Sequence, residues 1–179
     1  EKKESINAAD KIICISNDTK KDLLHYYNVN EKKISVIHLG GDHLLNLKHQ
    51  PISRTKTKKN LSDKPYLLYV GSRNKYKNFQ FFLKGISISK KINKNFDIVL
   101  FGGGNLTVVE KLMISKLQLE NKFITVSGDD QSLSNYYKNA ELFIFPSIFE
   151  GFGLPMIEAM SFGCPVLCSN NLTFQEIAG

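Results

Sequence analysis

Short apolar runs alternate along the chain with segments in which apolar residues recur every three or four positions. The apolar runs predict strands at 11–15, 34–38, 66–70, 97–101, 123–126, 141–145 and 165–168. The periodic segments predict helices at 18–27, 79–92, 106–117, 131–139 and 155–162. Because the runs lack strict alternation and are separated by helices, the strands are expected to be parallel and covered on both faces. This order predicts an α/β fold with a Rossmann-like, doubly wound parallel sheet.

The alternation breaks once, between Gly40 and Pro65, in a polar and basic stretch too long for an ordinary loop. We therefore predict three parts: 1–43 as the tail of one domain with a crossing segment, 44–64 as a basic linker or loop, and 65–179 as most of a second domain. The densest basic part, 48–59, is either a solvated connector or a functional patch. The chain begins without Met and ends where another helix is expected to begin, so we expect it to be a piece of a larger protein.

The net charge of the chain bears only on the kinds of partner that it could bind. The 24 Lys and Arg residues exceed the 17 acidic ones, a balance compatible with nucleic acid, an anionic membrane surface or phosphorylated small molecules. The basic and aromatic stretch 73–79 superficially suggests nucleic-acid binding, but Phe79, Phe82 and Ile86 have the spacing of a helix face that packs in a core. Sparse cysteines and the lack of an apolar run of about 18 residues favour a reduced, cytoplasmic chain.

The first glycine loop follows the strand predicted at 66–70 and opens a helix. Gly71 lets the backbone turn sharply, and Arg73 and Lys77 can place positive charge over a diphosphate held at the helix end. The alternative is a solvated turn with ordinary surface cations, and the local pattern does not decide between the two.

The second loop, 101–105, contains three consecutive glycines. It resembles a dinucleotide-binding fingerprint, but Thr107 stands where that pattern requires glycine. The pattern therefore only weakly favours NAD binding. The other interpretation is a loop kept free of side chains so that a ligand or a neighbouring domain can approach.

The third loop, 146–154, follows an apolar strand, and Pro155 fits the first turn of the next helix. The backbone N–H groups of residues 151–154 would then face outward at a positive helix end. Glu150 in the loop and Glu158 in the first helical turn could each accept hydrogen bonds from vicinal hydroxyls of a sugar or ribose. Alternatively, Glu150 is a surface residue and Glu158 only favours the helix N-terminus.

These motifs, in this order, resemble a retaining glycosyltransferase of the GT-B fold, in glycosyltransferase family 4. The stretch from Phe149 to Val166, with Glu150 and Glu158, resembles that family's E-x7-E region, and Tyr69–Ser72 with Lys77 resembles its phosphate loop. The segments around 15–20 and 36–42 resemble the end of the acceptor domain and the crossing between domains. On this resemblance, 1–43 is the remnant of the acceptor domain and 65–179 is the donor-binding domain, truncated at its C-terminal end.

The resemblance implies roles for the motif residues. Glu158 would hold the ribose of a nucleotide-sugar, Glu150 would hold hydroxyls of the donor sugar, and Arg73 and Lys77 would neutralise the diphosphate. Because Arg73 stands one position later than the family's basic residue, Lys77 is the stronger candidate. The remaining contacts to the donor are implied for Gly71, Val126, Ser127, Gly128, Gly151, Phe152, Gly153 and Leu154. No metal and no further cofactor is expected.

The resulting prediction is a glycosyltransferase that moves a sugar from a nucleotide-diphosphate sugar to an acceptor hydroxyl with retention. Cell-surface polysaccharide or lipopolysaccharide synthesis is the expected context, and mannose is a plausible sugar. A glycan or lipid-linked acceptor would bind through the absent domain, so we expect this chain alone to be inactive. Peripheral contact with an anionic membrane, at the inner face of the plasma membrane, is compatible with the charge. Two alternatives are a GT-B nucleotide-sugar epimerase and a basic membrane- or nucleic-acid-binding module.

Overall fold

The computed structural model describes residues 1–41 and 64–179, and strands alternate with helices in both ranges. The strands are β1 (Ile12–Cys14), β2 (Ile34–Val36), β3 (Tyr66–Val70), β4 (Asp97–Phe101), β5 (Phe123–Val126), β6 (Leu142–Phe145) and β7 (Val166–Cys168). The α-helices are α1 (Lys2–Ala8), α2 (Asn17–Tyr26), α3 (Phe79–Ile88), α4 (Lys90–Asn95), α5 (Val108–Lys116), α6 (Asp130–Asn139), α7 (Leu154–Ser161) and α8 (Leu172–Ala178). Short 3₁₀ helices span Glu31–Lys33 and Lys75–Lys77.

A five-stranded parallel sheet has the strand order β5-β4-β3-β6-β7, and β1 and β2 form a separate parallel pair. The chain leaves the central strand β3 towards β4 and β5, and then returns to the other side of β3 for β6 and β7. The predicted α/β class with a Rossmann-like, doubly wound parallel sheet is therefore confirmed.

The core lies where sheet and helices meet, as the apolar pattern predicts. All residues of β4 are buried, and so are the first four residues of β3, because helices cover both faces of a doubly wound sheet. The predicted inner face of α3 is confirmed: Phe79, Phe82, Leu83 and Ile86 are all buried. Full burial of a side chain such as Leu83 contributes about 1.5–3 kcal/mol.

The structure differs from the predicted helices in three places. The helix predicted at 79–92 is divided at Ser89, whose backbone is extended and whose hydroxyl oxygen caps α4 by accepting a hydrogen bond from the N–H of Ile92. The pattern at the N-terminus did not predict α1, which buries none of its residues. The final helix was expected to begin only at the end of the chain, but it begins at Leu172, where the side chain of Asn171 caps it.

The described residues form two compact units. The first contains residues 1–40, 149–154 and 170–179, and the second contains the described residues 41, 64–148 and 155–169. In the first, the carboxylate of Glu176 accepts hydrogen bonds of 2.9 and 3.0 Å from the backbone N–H of Asn17 and pairs with His38. The predicted division at 43 and 65 stays a prediction, and the predicted linker 44–64 lies outside the described residues except for Lys64.

Candidate functional site

The carboxyl ends of β3, β4 and β5 lie level along one edge of the large sheet. The N–H of Gly71 donates to the carbonyl of Phe101 at 2.8 Å, and the N–H of Gly102 donates to the carbonyl of Val126 at 2.9 Å. Gly71 has a φ of 99°, in the left-handed region that favours glycine, so the chain turns away immediately after β3. Gly71 and the predicted nucleobase segment, Val126 to Gly128, thus lie on the edge where doubly wound sheets bind ligands.

The point at which the strand order reverses lies between β3 and β6. There the loop after β3 contacts the segment after β6: the N–H of Ile148 donates to the carbonyl of Tyr76 at 2.8 Å. The Lys77 ammonium lies 5.3 Å from the centre of the Phe145 ring at the end of β6. The structure therefore places Lys77 at the topological switch point, the usual ligand position in this architecture.

Arg73 belongs to the same loop but is directed towards the protein interior. Its side chain is 4% exposed, and its Nε lies 2.7 Å from Oε1 of Glu110. One terminal nitrogen donates to the carbonyls of Gly103 and Gly104, both at 3.1 Å, and to that of Asn105 at 2.9 Å. The predicted contact of Arg73 with a diphosphate stays a prediction, and the guanidinium would have to exchange these bonds to make it.

Glu110 connects Arg73 to the start of α5. Its second oxygen accepts a 2.7 Å hydrogen bond from the N–H of Thr107, whose hydroxyl in turn accepts from the N–H of Glu110, so that the two residues form a capping box. Burial acts to raise the pKa of Glu110, but the hydrogen bonds from Thr107 and Arg73 outweigh it and hold that pKa below its ordinary value of 4.5. Arg73 and Glu110 thus fix the glycine loop 102–104 against α5.

Glu158 is buried in the second turn of α7. The sequence prediction of the first turn was wrong, because the helix begins at Leu154 rather than at Pro155. The residue is 8% exposed, and its Oε2 accepts a 3.0 Å hydrogen bond from the hydroxyl of Tyr137 on α6. The alternative that Glu158 only favours the helix N-terminus loses support, since that effect falls off within the first turn.

The glycine-containing segment before α7 belongs to the first unit together with α2 and α8. The carbonyl of Glu150 accepts a 3.0 Å hydrogen bond from the hydroxyl of Thr173, and that of Gly151 accepts one of 3.2 Å from the hydroxyl of Thr19. Phe152 is buried beside His38, with ring centres 5.6 Å apart. These contacts fix the backbone of this segment on both sides.

The predicted site residues are therefore distributed over both units. The second unit contains Gly71, Arg73, Lys77, Val126, Ser127, Gly128 and Glu158, and the first contains Glu150, Gly151, Phe152, Gly153 and Leu154. Sequence reasoning missed Tyr137 and Glu110, which hold Glu158 and Arg73. For Glu110 a signal existed, since Thr107 and Glu110 have capping-box spacing; for Tyr137 no local pattern indicates the contact.

Two further properties concern metals and membranes. Within residues 1–41 and 64–179, no group of three His, Cys, Asp or Glu side chains is arranged to hold a metal ion. The expectation that donor binding needs no metal is a separate matter and stays a prediction. Among the helices in those ranges, none combines the length and the apolar character needed to cross a membrane.

Two family models match the chain. The model described as glycosyl transferases group 1 matches residues 52–179, which is more than half of the chain. The model described as glycosyltransferase family 4 matches residues 2–43. The two matches lie side by side along the sequence.

Curated relatives of the chain are named as glycosyltransferases, and a solved structure shares its fold. The chain is 27% identical to O-antigen chain mannosyltransferase B of Escherichia coli over 98% of its own length and 47% of that protein. It is 28% identical to O-antigen chain mannosyltransferase RfbU of Salmonella typhimurium over 98% of its length and 46% of that protein. The solved structure of Anabaena Alr3699/HepE in complex with UDP-glucose matches 97% of the chain and 48% of that protein, with a TM-score of 0.79 and 18% identity. The chain thus spans about half the length of the relatives it matches.

Proposed function

We propose that this chain, which belongs to the group 1 glycosyl transferases, provides the nucleotide-sugar site of a retaining glycosyltransferase. The observation that carries this proposal is the position of Lys77 at the switch point between β3 and β6. A diphosphate bound at this point would be stabilised by the positive ends of the neighbouring helices and by the ammonium group of Lys77.

In this proposal the donor is a nucleotide-diphosphate sugar, and mannose is its first candidate sugar. The similarity to two O-antigen mannosyltransferases over almost the whole chain supports both the sugar and a role in cell-surface polysaccharide or lipopolysaccharide synthesis. The acceptor is a glycan or a lipid-linked glycan, and it binds outside the second unit. The protein acts in the cytoplasm, with peripheral contact to an anionic membrane supported by the net charge of +7.

The proposed chemistry is electrostatic. As the bond to the leaving diphosphate breaks, positive charge develops at the sugar carbon and negative charge develops on the diphosphate. Lys77 stabilises that negative charge, and the backbone N–H groups of residues 151–154 assist. Glu158 holds the ribose, and Glu150 orients the sugar through its hydroxyls without attacking the anomeric carbon. Donor binding uses no metal.

The first experiment is calorimetric titration of the protein, as its gene encodes it, with UDP, GDP and ADP. Binding of one nucleotide, weakened by Glu158→Ala, supports the donor site and names the base. Failure of all three to bind a folded protein contradicts the proposal.

The second experiment uses the matching nucleotide-sugar and determines the anomeric configuration of the product. Transfer with retention is the expected result, whereas release of free epimerised sugar indicates the epimerase. Glu150→Ala is expected to lower donor binding and turnover, and a covalent glycosyl adduct on Glu150 in the unmodified protein contradicts its assigned role.

A further inference from the structure

We infer that Tyr137 is a positioning residue for nucleotide binding: its hydroxyl fixes the carboxylate of Glu158 in the orientation that receives the ribose hydroxyls. The inference rests on the proposed function, in which Glu158 holds the ribose. It concerns a residue on a different helix from Glu158, and neither the sequence motifs nor the similarity to known proteins assigns a role to that residue.

The ring of Tyr137 is held on two sides. Tyr137 is fully buried, with 0% exposure. Its ring meets that of Phe143 edge to face at 5.5 Å between centres, and it stacks on that of Phe162 at 6.1 Å. Aromatic pairs of these geometries pack favourably. The ring therefore has one position, and so does the hydroxyl at its end.

The hydroxyl of Tyr137 acts as a donor towards the carboxylate. Burial, and after it the neighbouring charge of Glu158, holds the pKa of Tyr137 well above its ordinary value of 10.0. The phenol therefore keeps its proton at neutral pH, and it donates that proton to Oε2 of Glu158 at 3.0 Å. Hydrogen bonds that end on a charged acceptor are stronger than neutral ones.

An anchored carboxylate binds a diol better than a mobile one. A glutamate side chain loses rotational freedom when it is ordered, and that loss opposes binding if it occurs together with the ligand. In this chain the bond from Tyr137, on α6, orders Glu158, on α7, before any ligand arrives. Preorganisation of this kind increases affinity for the groups that the carboxylate contacts, and here those are the hydroxyls of the ribose.

The test measures a ribose preference, defined as the affinity for a ribonucleoside diphosphate divided by that for its 2′,3′-dideoxy analogue. The nucleotide is whichever of UDP, GDP and ADP binds the protein as its gene encodes it. Tyr137→Phe, which keeps the ring and removes only the hydroxyl, is expected to lower this preference about tenfold. In a Glu158→Ala background, Tyr137→Phe is expected to change it no further, because the two residues act through one contact.

Tyr66→Phe is the matched control. The hydroxyl of Tyr66 is also buried and also bonds to α6, donating to the carbonyl of Tyr136 at 2.8 Å. Its removal costs the protein a comparable internal hydrogen bond without involving Glu158. A general loss of stability would lower affinity for both nucleotides alike, so the ribose preference of Tyr66→Phe is expected to equal that of the unmodified protein.

A ribose preference that is unchanged in Tyr137→Phe, in a protein that binds the nucleotide, overturns this inference and leaves the proposed function standing. No binding of any nucleotide to the unmodified protein overturns the proposed function and this inference with it. If Tyr137→Phe does not fold, Phe162→Leu is measured in its place. That substitution removes the ring that stacks on Tyr137 and keeps both the hydroxyl and the carboxylate; it is expected to lower the ribose preference by a smaller factor, and an unchanged preference overturns the inference.

Discussion

Arg73 and Lys77 belong to the same loop and carry the same charge, yet they lie in two different regions of the second unit. Arg73 is directed towards β4 and α5, where it pairs with Glu110 and donates to the carbonyls of a glycine loop. Lys77 lies on the other side of β3, beside the end of β6. The two side chains lie on opposite sides of β3, the strand at which the order of the sheet reverses.

The comparison shows that the charge of a motif residue does not define its role. A planar guanidinium with five donors suits a set of converging carbonyls and a carboxylate, whereas an ammonium suits a compact anionic group. Arg73 is thus chemically suited to hold the loops in place, and Lys77 is suited to a ligand.

Arg73→Met is expected to lower the free energy of unfolding by about 3 kcal/mol, because it leaves the partly buried carboxylate of Glu110 without its cation and three backbone carbonyls without their donor. Arg73→Lys is expected to cost about 2 kcal/mol, because an ammonium cannot serve the carboxylate and the carbonyls together. Urea denaturation measures both. Unchanged stability in Arg73→Met, combined with lost nucleotide affinity, would instead assign Arg73 to the diphosphate and contradict its role in holding the loops.

Lys77→Ala is expected to weaken binding of the nucleoside diphosphate about 30-fold, because one charge-assisted contact to phosphate is lost. Calorimetric titration measures this. Lys75→Ala is the control: Lys75 lies in the same 3₁₀ helix and is exposed, and its removal is expected to change affinity by less than about twofold. Equal losses in the two variants would show that only the overall charge of the loop matters.

Gly103→Ala tests how closely the glycine loop approaches Gly71 and Arg73. An added Cβ would lie 2.5 Å from the carbonyl oxygen of Gly71 and 2.8 Å from the guanidinium of Arg73, at a φ of 68°. We expect a loss of about 2 kcal/mol in the free energy of unfolding. Gly104→Ala has a similar φ of 71° but no neighbour within 4 Å, so only the backbone term of about 1 kcal/mol is expected. Thermal denaturation of the two variants separates crowding from backbone strain, and equal losses would contradict the close approach.

The pH dependence of the Glu110 contact is the smallest effect. Because the folded pKa of Glu110 lies below its ordinary value of 4.5, the ionised group contributes stability above that value and loses it as pH falls through the folded pKa. Relative to Glu110→Gln, the unmodified protein is expected to be about 1 kcal/mol more stable at pH 7. Melting temperatures measured from pH 7 to pH 3 should converge below pH 4.5, and a constant difference would show that the charge is not responsible.

Local patterns predicted the elements well and the contacts between them poorly. The ranges of β3, β4 and β5 were predicted without error. Strands β3 and β4 are buried apolar runs, and β5 is a short run of aromatic and β-branched residues between polar neighbours. The division at Ser89 was missed because apolar periodicity continues through it to Ile92, while the cap depends on one hydroxyl. The bond between Tyr137 and Glu158 joins two helices that are separated in the chain, and only the packed fold brings them together.

The position of β3 at the centre of the sheet also has a consequence for the order of folding. Strands β3, β4 and β5 follow one another along the chain and pair as neighbours, so this half of the sheet can assemble while later residues are still being synthesised. Strand β6 must then add to the exposed edge of β3 as a late, non-local step, which is slow in parallel sheets. The switch point is therefore also a late junction of the sheet, after which only β7 remains to be added, and a nascent chain arrested before β6 would present an open strand edge to chaperones.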